Sequence, residues 1–511
     1  MRQVQSLPGE SSDLPVFLRP QTLIVIVLGL TVIRLITAAT TGLVEDEAYY
    51  RLWGLNPAFG YYDHPPMIGW WIAIGQFIAG DNALGVRLVG VLATFFGSFV
   101  LWRTSFLLFD RQTAGLAVLF FNSTILIGIG SILATPDAPS VFFWGMSLWA
   151  LAELNASKNG LWWLVVGFFA GCGLLSKYSV LFLGVGIILW VLWVPELRRW
   201  ILSWQMWVGG LVAGLLVVPL VLWNMDHEWA SFVKQFGRAV PKRWTLKYLG
   251  EFAGAMAGLV NPLMLVFLIP GIGTAIRRTF SDRAPGAALL VLTSMPFLLY
   301  LMFHAFHGRV QANWPAPLFP ALSLLAAPMA AGFGNWAMEP GRWTLFWRKA
   351  VIVTGVLASL IVYVHAITPL TGAMGRKEPT FQLRGWNEIG AQIAELAQET
   401  EAQWVATSSY GLTGELDFVL RGQLPVVQLT ERIRFVMAPK PDREITNKPG
   451  LYVAFARKDS SGRAKMHFRQ FQRIATLKRT VKGTILDEIN VYYFSQPLEY
   501  PLDPAFPLPD S

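Results

Sequence analysis

Three consecutive carboxylates, Glu45, Asp46 and Glu47, follow directly on the first long apolar run of the chain. Like charges this close together raise the pKa of at least one member, which suits a general base. Tyr49 and Tyr50 come immediately after them. A plain hydrophilic collar at a membrane exit would explain the acids alone, and Glu45 fits that description. We interpret the combination as the seat of the chemistry.

A second polar cluster, Tyr62-Asp63-His64, precedes two prolines that stiffen the backbone. His64 could hold a phosphate, donate a proton or ligate a metal, and the alternative is an ordinary histidine in an interfacial turn. Asp137 follows Pro136 at the start of a later apolar run. It is interpreted either as a second carboxylate of the site or as the N-cap of the following helix, and the two roles can coexist.

Positive charge also occurs where membrane topology disfavours it. The segment 224–252 contains five Lys and Arg residues, more than any inner connection of the predicted topology. A solvated amphipathic helix would explain this excess; so would a site for an anionic group, with Arg243 as the candidate. Lys177, which is followed by Tyr178 in an otherwise apolar connection, either snorkels to the surface or neutralises a leaving phosphate.

One further cluster precedes the tenth apolar run and contains His304, His307, Arg309, Gln311 and Asn313. The two histidines could share a helix face and bind a metal, as i and i+3 positions do. Because no clear further ligand is near in sequence, polar contacts to a sugar or a phosphate are the favoured interpretation.

The elements that must position these groups are membrane helices. Hydrophobic residues make up 54% of the 511 residues and charged residues 14%, well below the share of charge in soluble proteins. The net charge of +9 is explained by basic cytoplasmic loops, so no nucleic-acid partner is expected. The start of the chain, 1–20, lacks the features of a cleaved signal peptide and is predicted to be a cytoplasmic tail.

Apolar runs of spanning length predict about eleven transmembrane helices. The predicted spans are 21–40, 84–106, 113–133, 138–153, 161–176, 178–194, 205–223, 253–275, 286–303, 315–333 and 349–367. Short basic connections alternate with the connections that contain the clusters above, which places those clusters together on the outer side. The apolar segment 65–80 is too short to span comfortably and is predicted to lie in the interface.

The composition changes after residue 370. Patterns typical of helices occur at 386–398 and 412–421, and patterns typical of strands at 404–407, 451–456 and 485–494. We therefore predict a membrane domain over 21–370 and a small periplasmic α/β domain over 371–496. The proline-rich tail 497–511 is expected to be extended or disordered.

Five motifs, in this order and loop placement, resemble bacterial membrane glycosyltransferases of the GT-C superfamily, families 39 and 83, which include protein O-mannosyltransferases and lipid A aminoarabinose transferases. The motifs are Asp46-Glu47, Tyr61-Tyr62-Asp63-His64-Pro65-Pro66, Thr135-Pro136-Asp137, Leu174-Leu175-Ser176-Lys177-Tyr178 and Asn313-Trp314-Pro315-Ala316-Pro317. The resemblance covers roughly 20–370. It implies a GT-C membrane bundle in the cytoplasmic (inner) membrane and a polyprenyl-phosphate sugar donor, with transfer to a lipid A, other glycolipid, glycan or protein acceptor.

By this resemblance Asp46 corresponds to the base and Asp137 to the second carboxylate, with Glu47 in support. His64 stands where the aminoarabinose transferases have a lysine, and Tyr49 where they have an arginine, which disfavours aminoarabinose as the sugar. The resemblance makes no cofactor certain, and a divalent metal between Asp46 and Asp137 is left open. Two groups of binding residues are expected. The donor phosphate is assigned to His64, Lys177, Arg243 and Arg309, and the substrate to Tyr49, Tyr50, Tyr62, Asp63, Tyr178, His304, His307 and Asn313.

The predicted activity is inverting transfer of a hexose or pentose on the periplasmic face. The alternative is a transporter or flippase of lipid-linked glycans, which would also need charged groups facing a cavity. Transporters usually place such groups near the midplane on broken helices. Here the acids lie at span ends on one side, which favours an enzyme.

Overall fold

A computed structural model describes residues 14–237, 244–336, 340–370 and 375–506, and it is mostly helical with one small sheet. The helices are α1 (Pro20–Thr40), α2 (Glu45–Leu55), α3 (Met67–Ala79), α4 (Ala83–Leu108), α5 (Arg111–Ser123), α6 (Ile125–Gly130), α7 (Asp137–Ser157), α8 (Trp162–Leu174), α9 (Leu181–Trp193), α10 (Trp204–Asp226), α11 (Ala230–Gly237), α12 (Lys247–Val260), α13 (Leu265–Phe280), α14 (Pro285–Ala305), α15 (Phe319–Ala331), α16 (Arg342–Ile367), α17 (Trp386–Glu399), α18 (Tyr410–Val419), α19 (Arg443–Thr446) and α20 (Ser461–Lys465). The strands are β1 (Val405–Thr407), β2 (Val426–Gln428), β3 (Gly450–Phe455), β4 (Phe468–Val481) and β5 (Thr484–Pro497).

Several helices have the length and apolar composition of membrane spans. Among the described residues six pass both criteria, and a seventh is added if the pair Tyr178–Trp193 and Pro195–Leu202, bent by 111°, counts as one span. All eleven predicted apolar runs overlap helical segments. The count of eleven spans stays a prediction, because shorter apolar helices such as α8 and α15 account for the difference.

Two predicted spans are not single helices, and the first, 113–133, is divided between α5 and α6 at Thr124. The run 253–275 is divided between α12 and α13 at Asn261, whose φ of 86° takes it out of the helical region. The amide of Asn261 donates to the backbone oxygen of Val351 at 2.9 Å and accepts from the N–H of Leu263 at 3.2 Å. The break is therefore stabilised by side-chain hydrogen bonds that hydropathy alone does not reveal.

Close helix packing in the membrane part depends on small residues. A side chain at Gly167 of α8 would meet the backbone oxygen of Gly209 of α10 at 1.9 Å, so these helices cross with their backbones in near contact. The segment predicted to lie in the interface forms α3, which packs against α2 and α4. The first acidic cluster forms the first turn of α2, which packs against α3, α4 and α18.

The C-terminal part contains a five-stranded sheet in the order β2-β1-β3-β5-β4. Strand β1 is parallel to β2 and β3, whereas β5 is antiparallel to β3 and β4. Helices α17 and α18 pack on the sheet through an apolar cluster that includes Ile389, Leu416 and Val453. The predicted α/β content is therefore present, and the sequence patterns missed β2, β4 and the short helices α19 and α20. The division at residue 370 stays a prediction.

The proline-rich tail differs from the expectation of disorder. Strand β5 continues to Pro497, and Asp503 donates its backbone N–H to the oxygen of Leu429 at 2.9 Å. The carboxylate of Asp503 also pairs with Arg463 at 2.8 Å. Residues 497–506 thus lie against the C-terminal part, and 507–511 are outside the described residues.

Candidate active site

Two cavities of similar size meet at the carboxylates singled out by the sequence. The first cavity has a volume of about 400 Å³, and the second has about 380 Å³, both within the ordinary range for small-molecule sites. Five residues line both cavities: Asp46, Thr135, Asp137, Gln311 and Asn313. The junction of the two cavities is therefore where a group from one could react with a group from the other.

Asp46 reaches this junction from the first turn of α2. Carboxylates are favourable there because the helix N-terminus carries partial positive charge. The Asp46 side chain is open to the cavities, and its Oδ1 accepts a hydrogen bond from the Tyr410 hydroxyl at 3.0 Å. Burial among protein atoms raises the pKa of Asp46, with a smaller contribution from the Asp63 and Glu47 charges. A carboxylate with a raised pKa suits the role of general base.

Glu47, one residue further on, points away from the cavities, and its charge acts on Asp46 only at a distance, where it contributes to the raised pKa of that carboxyl. Its side chain is fully buried and forms a two-point ion pair with Arg87, with Oε2 2.6 Å from Nη2 and Oε1 2.8 Å from Nε. Its oxygens also accept the backbone N–H groups of Val44 and Ala134, at 3.1 and 2.8 Å. Glu47 lines neither cavity and fixes the start of α2 instead.

Glu45 is not a solvated collar. It is half-buried, and a side chain at Gly411 of α18 would meet its Oε2 at 2.9 Å. Burial raises the pKa of Glu45, while Arg479 opposes that shift. The three consecutive acids therefore have three different environments, and only Asp46 faces the cavities.

Asp137 is the first residue of α7 and binds two groups from other elements. Its Oδ1 lies 2.5 Å from Lys177 Nζ, and its Oδ2 accepts from the Asn313 amide at 2.5 Å. The N-cap of α7 is Pro136, without a side-chain cap bond, so the capping role considered for Asp137 is not observed. Asp137 instead holds a cation and an amide at the cavity junction.

The second cavity collects the remaining candidate groups for an anion. Lys177 and His64 line it, together with Tyr50, Tyr178 and apolar side chains. The Tyr178 hydroxyl is 2.9 Å from the hydroxyl of Ser231 on α11. The apolar part includes Phe182, Val185, Phe236, Phe297 and Tyr300. A cavity of this kind suits a ligand with an anionic head and an apolar chain.

The first cavity has no such charge. Among the described lining residues there is no Lys, Arg or His, and the only ionisable side chains are Asp46 and Asp137. Its walls come largely from α4 and α7, with Pro379 and Gln382 from the segment before α17. This cavity therefore suits an uncharged or apolar group rather than a phosphate.

Asp63 is engaged by protein groups rather than open to substrate. Its oxygens contact Lys234 and Arg434, and the Tyr49 hydroxyl donates to it at 3.0 Å. Burial opposes its ionisation, but the Arg434 and Lys234 charges outweigh burial and hold the pKa of Asp63 at about 2. Tyr49 is buried, and the Lys234 Nζ lies over the Tyr62 ring, 4.0 Å from the ring centroid. The prediction that Tyr49, Tyr62 and Asp63 bind substrate is therefore not supported by their positions.

The residues of the cluster before the tenth apolar run lie in different places, some at the cavity junction and others outside both cavities. Arg309 is exposed and pairs with Glu251 at 3.0 Å, outside both cavities. His304 is buried with its ring 4.7 Å from His307 and 5.0 Å from Trp314, and neither histidine lines a cavity. Gln311 and Asn313 are the members of this cluster that reach the junction. Arg243, assigned to the donor phosphate, lies outside the described residues.

A metal between Asp46 and Asp137 does not fit the donors present. Both oxygens of Asp137 are already bound, to the Lys177 amine and the Asn313 amide. Across the described ranges no group of three His, Cys, Asp or Glu side chains could hold a metal ion. No step of the chemistry is therefore assigned to a metal.

The sequence missed the groups that the C-terminal part brings to this site. Tyr410 bonds Asp46, Arg434 bonds Asp63, and Gln382 accepts the backbone N–H of Glu45 at 3.3 Å. These residues lie more than 300 positions from their partners, with no local motif to mark them. The one available signal was the aromatic and basic content of 410–435.

Sequence comparison gives relatives of two kinds. Residues 63–223 match the family model described as dolichyl-phosphate-mannose-protein mannosyltransferase. The chain is also 26% identical over 408 residues to the lipid A galacturonosyltransferase RgtD of Rhizobium johnstonii, which covers 79% of this chain and 83% of that protein. Among solved structures, ArnT from Cupriavidus metallidurans, bound to undecaprenyl phosphate, has a TM-score of 0.64 over 93% of this chain and 98% of its own, at 15% identity.

The chain is thus similar to membrane glycosyltransferases in sequence and in fold. It is also similar to the undecaprenyl phosphate-alpha-4-amino-4-deoxy-L-arabinose arabinosyl transferase of Erwinia tasmaniensis, which is 27% identical over 59% of this chain and 55% of its own length. The chain thus spans about half of that protein. The archaeal oligosaccharyltransferase AglB from Archaeoglobus fulgidus has the same fold at a TM-score of 0.51 and 11% identity, over 86% of this chain and 70% of its own. The resemblance inferred from the five motifs is confirmed.

Proposed function

We propose that this chain is an inverting glycosyltransferase that moves a sugar from a polyprenyl-phosphate donor to an acceptor hydroxyl. The observation that carries the proposal is the meeting of two cavities at Asp46, because among the described lining residues only the second cavity has a cation, Lys177. A transferase needs separate places for a phosphate-bearing donor and for an acceptor. A base between them completes the requirement.

The donor is assigned to the second cavity. Its phosphate would lie near Lys177 and His64, and the first isoprenoid units against Phe182, Val185 and Phe297. As the bond between the anomeric carbon and the phosphate oxygen breaks, negative charge develops on the departing polyprenyl phosphate. A preorganised cation stabilises that charge in the transition state. Asp137 holds Lys177 in place through its 2.5 Å ion pair.

The acceptor is assigned to the first cavity, with its hydroxyl at the junction. The hydroxyl oxygen attacks the anomeric carbon from the face opposite the phosphate, so the configuration at that carbon inverts. Its proton passes to the Asp46 carboxylate. Asn313 and Gln311 line both cavities and could contact sugar hydroxyls. Tyr50 and Tyr178 complete the sugar side of the second cavity.

The acceptor class follows from the relatives rather than from the site. RgtD is named as a lipid A galacturonosyltransferase, and it covers 79% of this chain. We therefore propose a lipid A-type glycolipid as the acceptor, with other glycolipids, glycans and proteins as the broader class. The transferred sugar is a hexose or a pentose. An uncharged, largely apolar first cavity is compatible with the acyl part of such an acceptor.

The proposed setting is the cytoplasmic membrane of a bacterium, crossed by about eleven helices. The N-terminus lies in the cytoplasm, whereas the site and the C-terminal part lie on the periplasmic side. The alternation of short basic connections with the connections that contain the site supports this orientation. In this arrangement the membrane domain is 21–370 and the outer domain begins at 371.

The test is the substitution Asp46→Asn with purified protein, a polyprenyl-phosphate sugar and a lipid A-type acceptor. Transfer should fall to background because the amide cannot accept the proton, while donor binding is retained since the phosphate contacts are elsewhere. Asp226→Asn, at an exposed position at the end of α10, is the matched control and should keep full activity. Normal turnover by Asp46→Asn would refute the role of this carboxylate.

The alternative, a flippase of lipid-linked glycans, makes a different prediction in the same assay. A glycosyltransferase releases free polyprenyl phosphate in step with product, and a flippase releases none. Incubation of the full chain with donor and acceptor, followed by quantification of polyprenyl phosphate, separates the two functions.

A further inference from the structure

Helix α18 of the C-terminal part begins at the catalytic carboxylate. Its first residue, Tyr410, donates its hydroxyl to Asp46 Oδ1 at 3.0 Å. This hydrogen bond to the Asp46 side chain comes from outside the membrane helices. Its donor lies 364 positions further along the chain. The carboxylate proposed as the base is therefore oriented by a separate part of the protein.

The position of Tyr410 is itself fixed by its neighbours. The Arg434 guanidinium lies over the Tyr410 ring, 4.6 Å from its centroid, and donates to Asp63. The backbone oxygen of Arg434 accepts from the Tyr49 hydroxyl at 3.0 Å, and the rings of Tyr49 and Tyr410 are 5.0 Å apart. Tyr410 thus has a stacked cation on one side and an aromatic ring on the other.

The close approach of α18 to α2 depends on Gly411 and Gly414. A side chain at Gly414 would meet the backbone nitrogen of Tyr49 at 2.6 Å, and one at Gly411 would meet the Cβ of Glu45 at 2.9 Å. These contacts bring the two helices together directly behind the first turn of α2. The short distance between Tyr410 and Asp46 is therefore built into the packing of the two helices.

We propose that Tyr410, held in place by Arg434, is a positioning residue that orients the Asp46 carboxylate toward the acceptor and keeps it ionised. This inference rests on the proposed function, in which Asp46 takes the acceptor proton. It also gives the C-terminal part a role in the reaction, since the site is incomplete until α18 is docked on α2.

The electrostatics agree with the geometry. Burial raises the pKa of Asp46, and the hydrogen bond from Tyr410 opposes that rise. Burial and the neighbouring Asp46 charge raise the pKa of the Tyr410 hydroxyl itself, so it stays protonated and remains a donor. Loss of the hydroxyl should move the pKa of Asp46 further upward. The base would then be protonated over a wider range of acidic pH.

The test is Tyr410→Phe, which keeps the ring and removes the donor. A hydrogen bond to a charged group corresponds to a loss of about ten- to a hundredfold in turnover. This loss should be largest at acidic pH and shrink as pH rises, with the acid limb of the kcat profile shifted upward by about one to two pH units. The KM for the polyprenyl-phosphate donor should not change. Tyr452→Phe removes a buried hydroxyl bonded to Ser408 and Ser460 in the same part of the chain, and should leave the profile unaltered.

Arg434 supplies a second pair of variants. Arg434→Gln should shift the acid limb in the same direction, and Arg434→Lys, which retains the charge, should shift it less. A Tyr410→Phe protein with the wild-type profile, or with an equal loss at every pH, would overturn the inference. The two hypotheses fail in different ways. If the proposed function is wrong, the Asp46→Asn protein is active. If only this inference is wrong, the Asp46→Asn protein is inactive, but the pH profile of the Tyr410→Phe protein is the same as that of the wild type.

Discussion

The second cavity contains Lys177 and His64 among its lining side chains, whereas no cation lines the first cavity within the described residues. The two share Asp46 and Asp137 and have nearly the same volume, about 400 and 380 Å³. A phosphodiester in the first cavity would meet two carboxylates and no cation among the described lining residues, which disfavours its binding there. In the proposed mechanism this arrangement separates the two substrates by charge, and each reaches the same carboxylate from its own side.

The largest effect that separates the two cavities is expected from Lys177→Met. Loss of this cation should reduce turnover about a hundredfold and raise the KM for the donor, because a group that stabilises developing phosphate charge is removed. The KM for the acceptor should stay the same. Steady-state kinetics with each substrate varied in turn measures both values.

Two controls accompany that measurement. Lys177→Arg keeps the charge beside Asp137 and should recover part of the activity. Lys247→Met removes an exposed lysine that lines neither cavity and should be neutral. An increase in the acceptor KM with an unchanged donor KM would reverse the assignment of the two cavities.

Gly97→Leu in α4 is expected to have a smaller effect, and one that acts on the acceptor instead of the donor. Gly97 lines the first cavity, and a Cβ there lies at an ordinary contact distance of 3.6 Å from Phe142. The variant should fold normally. Its leucine side chain should extend into the cavity and raise the KM for the acceptor about tenfold, as steric changes in an apolar pocket do. The donor KM should remain unchanged.

The matched control is Gly184→Leu in α9. Gly184 is exposed, lines neither cavity, and has open space where a Cβ would be. It introduces the same side chain on a membrane helix without filling a cavity. Equal effects of Gly97→Leu on both substrates would show that the cavities act as one space.

The sequence predicted the helical membrane part, the α/β content after residue 370 and the residues at the cavity junction. Asp46, Asp137, Lys177 and Asn313 come together because each lies at or next to the end of an apolar run on the same side. Hydropathy and loop placement contain that information directly. They do not contain the direction in which neighbouring side chains point.

Glu47 illustrates what the sequence could not reveal. It is adjacent to Asp46 and equally acidic, yet one residue of helical rotation turns it into a buried pair with Arg87. The contacts of Tyr410 and Arg434 are equally hidden, because they depend on the docking of the C-terminal part on α2. Residues far apart in sequence meet here through tertiary packing, which no local pattern records.

The smallest expected effect is a change in thermal stability. It concerns two cations that lie near the second cavity but do not line it. Lys234 and Arg434 are both engaged by Asp63, whose pKa they hold at about 2. A carboxylate whose pKa is lower in the folded than in the unfolded protein stabilises the fold at pH values above its unfolded-state pKa. This contribution is lost as the pH falls through the folded-state pKa.

Asp63→Asn should lower the Tm. The difference in Tm between this variant and the wild type should be constant between pH 5 and 8 and shrink only below about pH 4. Thermal unfolding of both proteins across this range, with Asp226→Asn as a neutral control, measures it. A difference that changed between pH 6 and 8 would mean that Asp63 titrates there and releases its cations, and Lys177 would then no longer be the single cation assigned to the second cavity from its described lining residues.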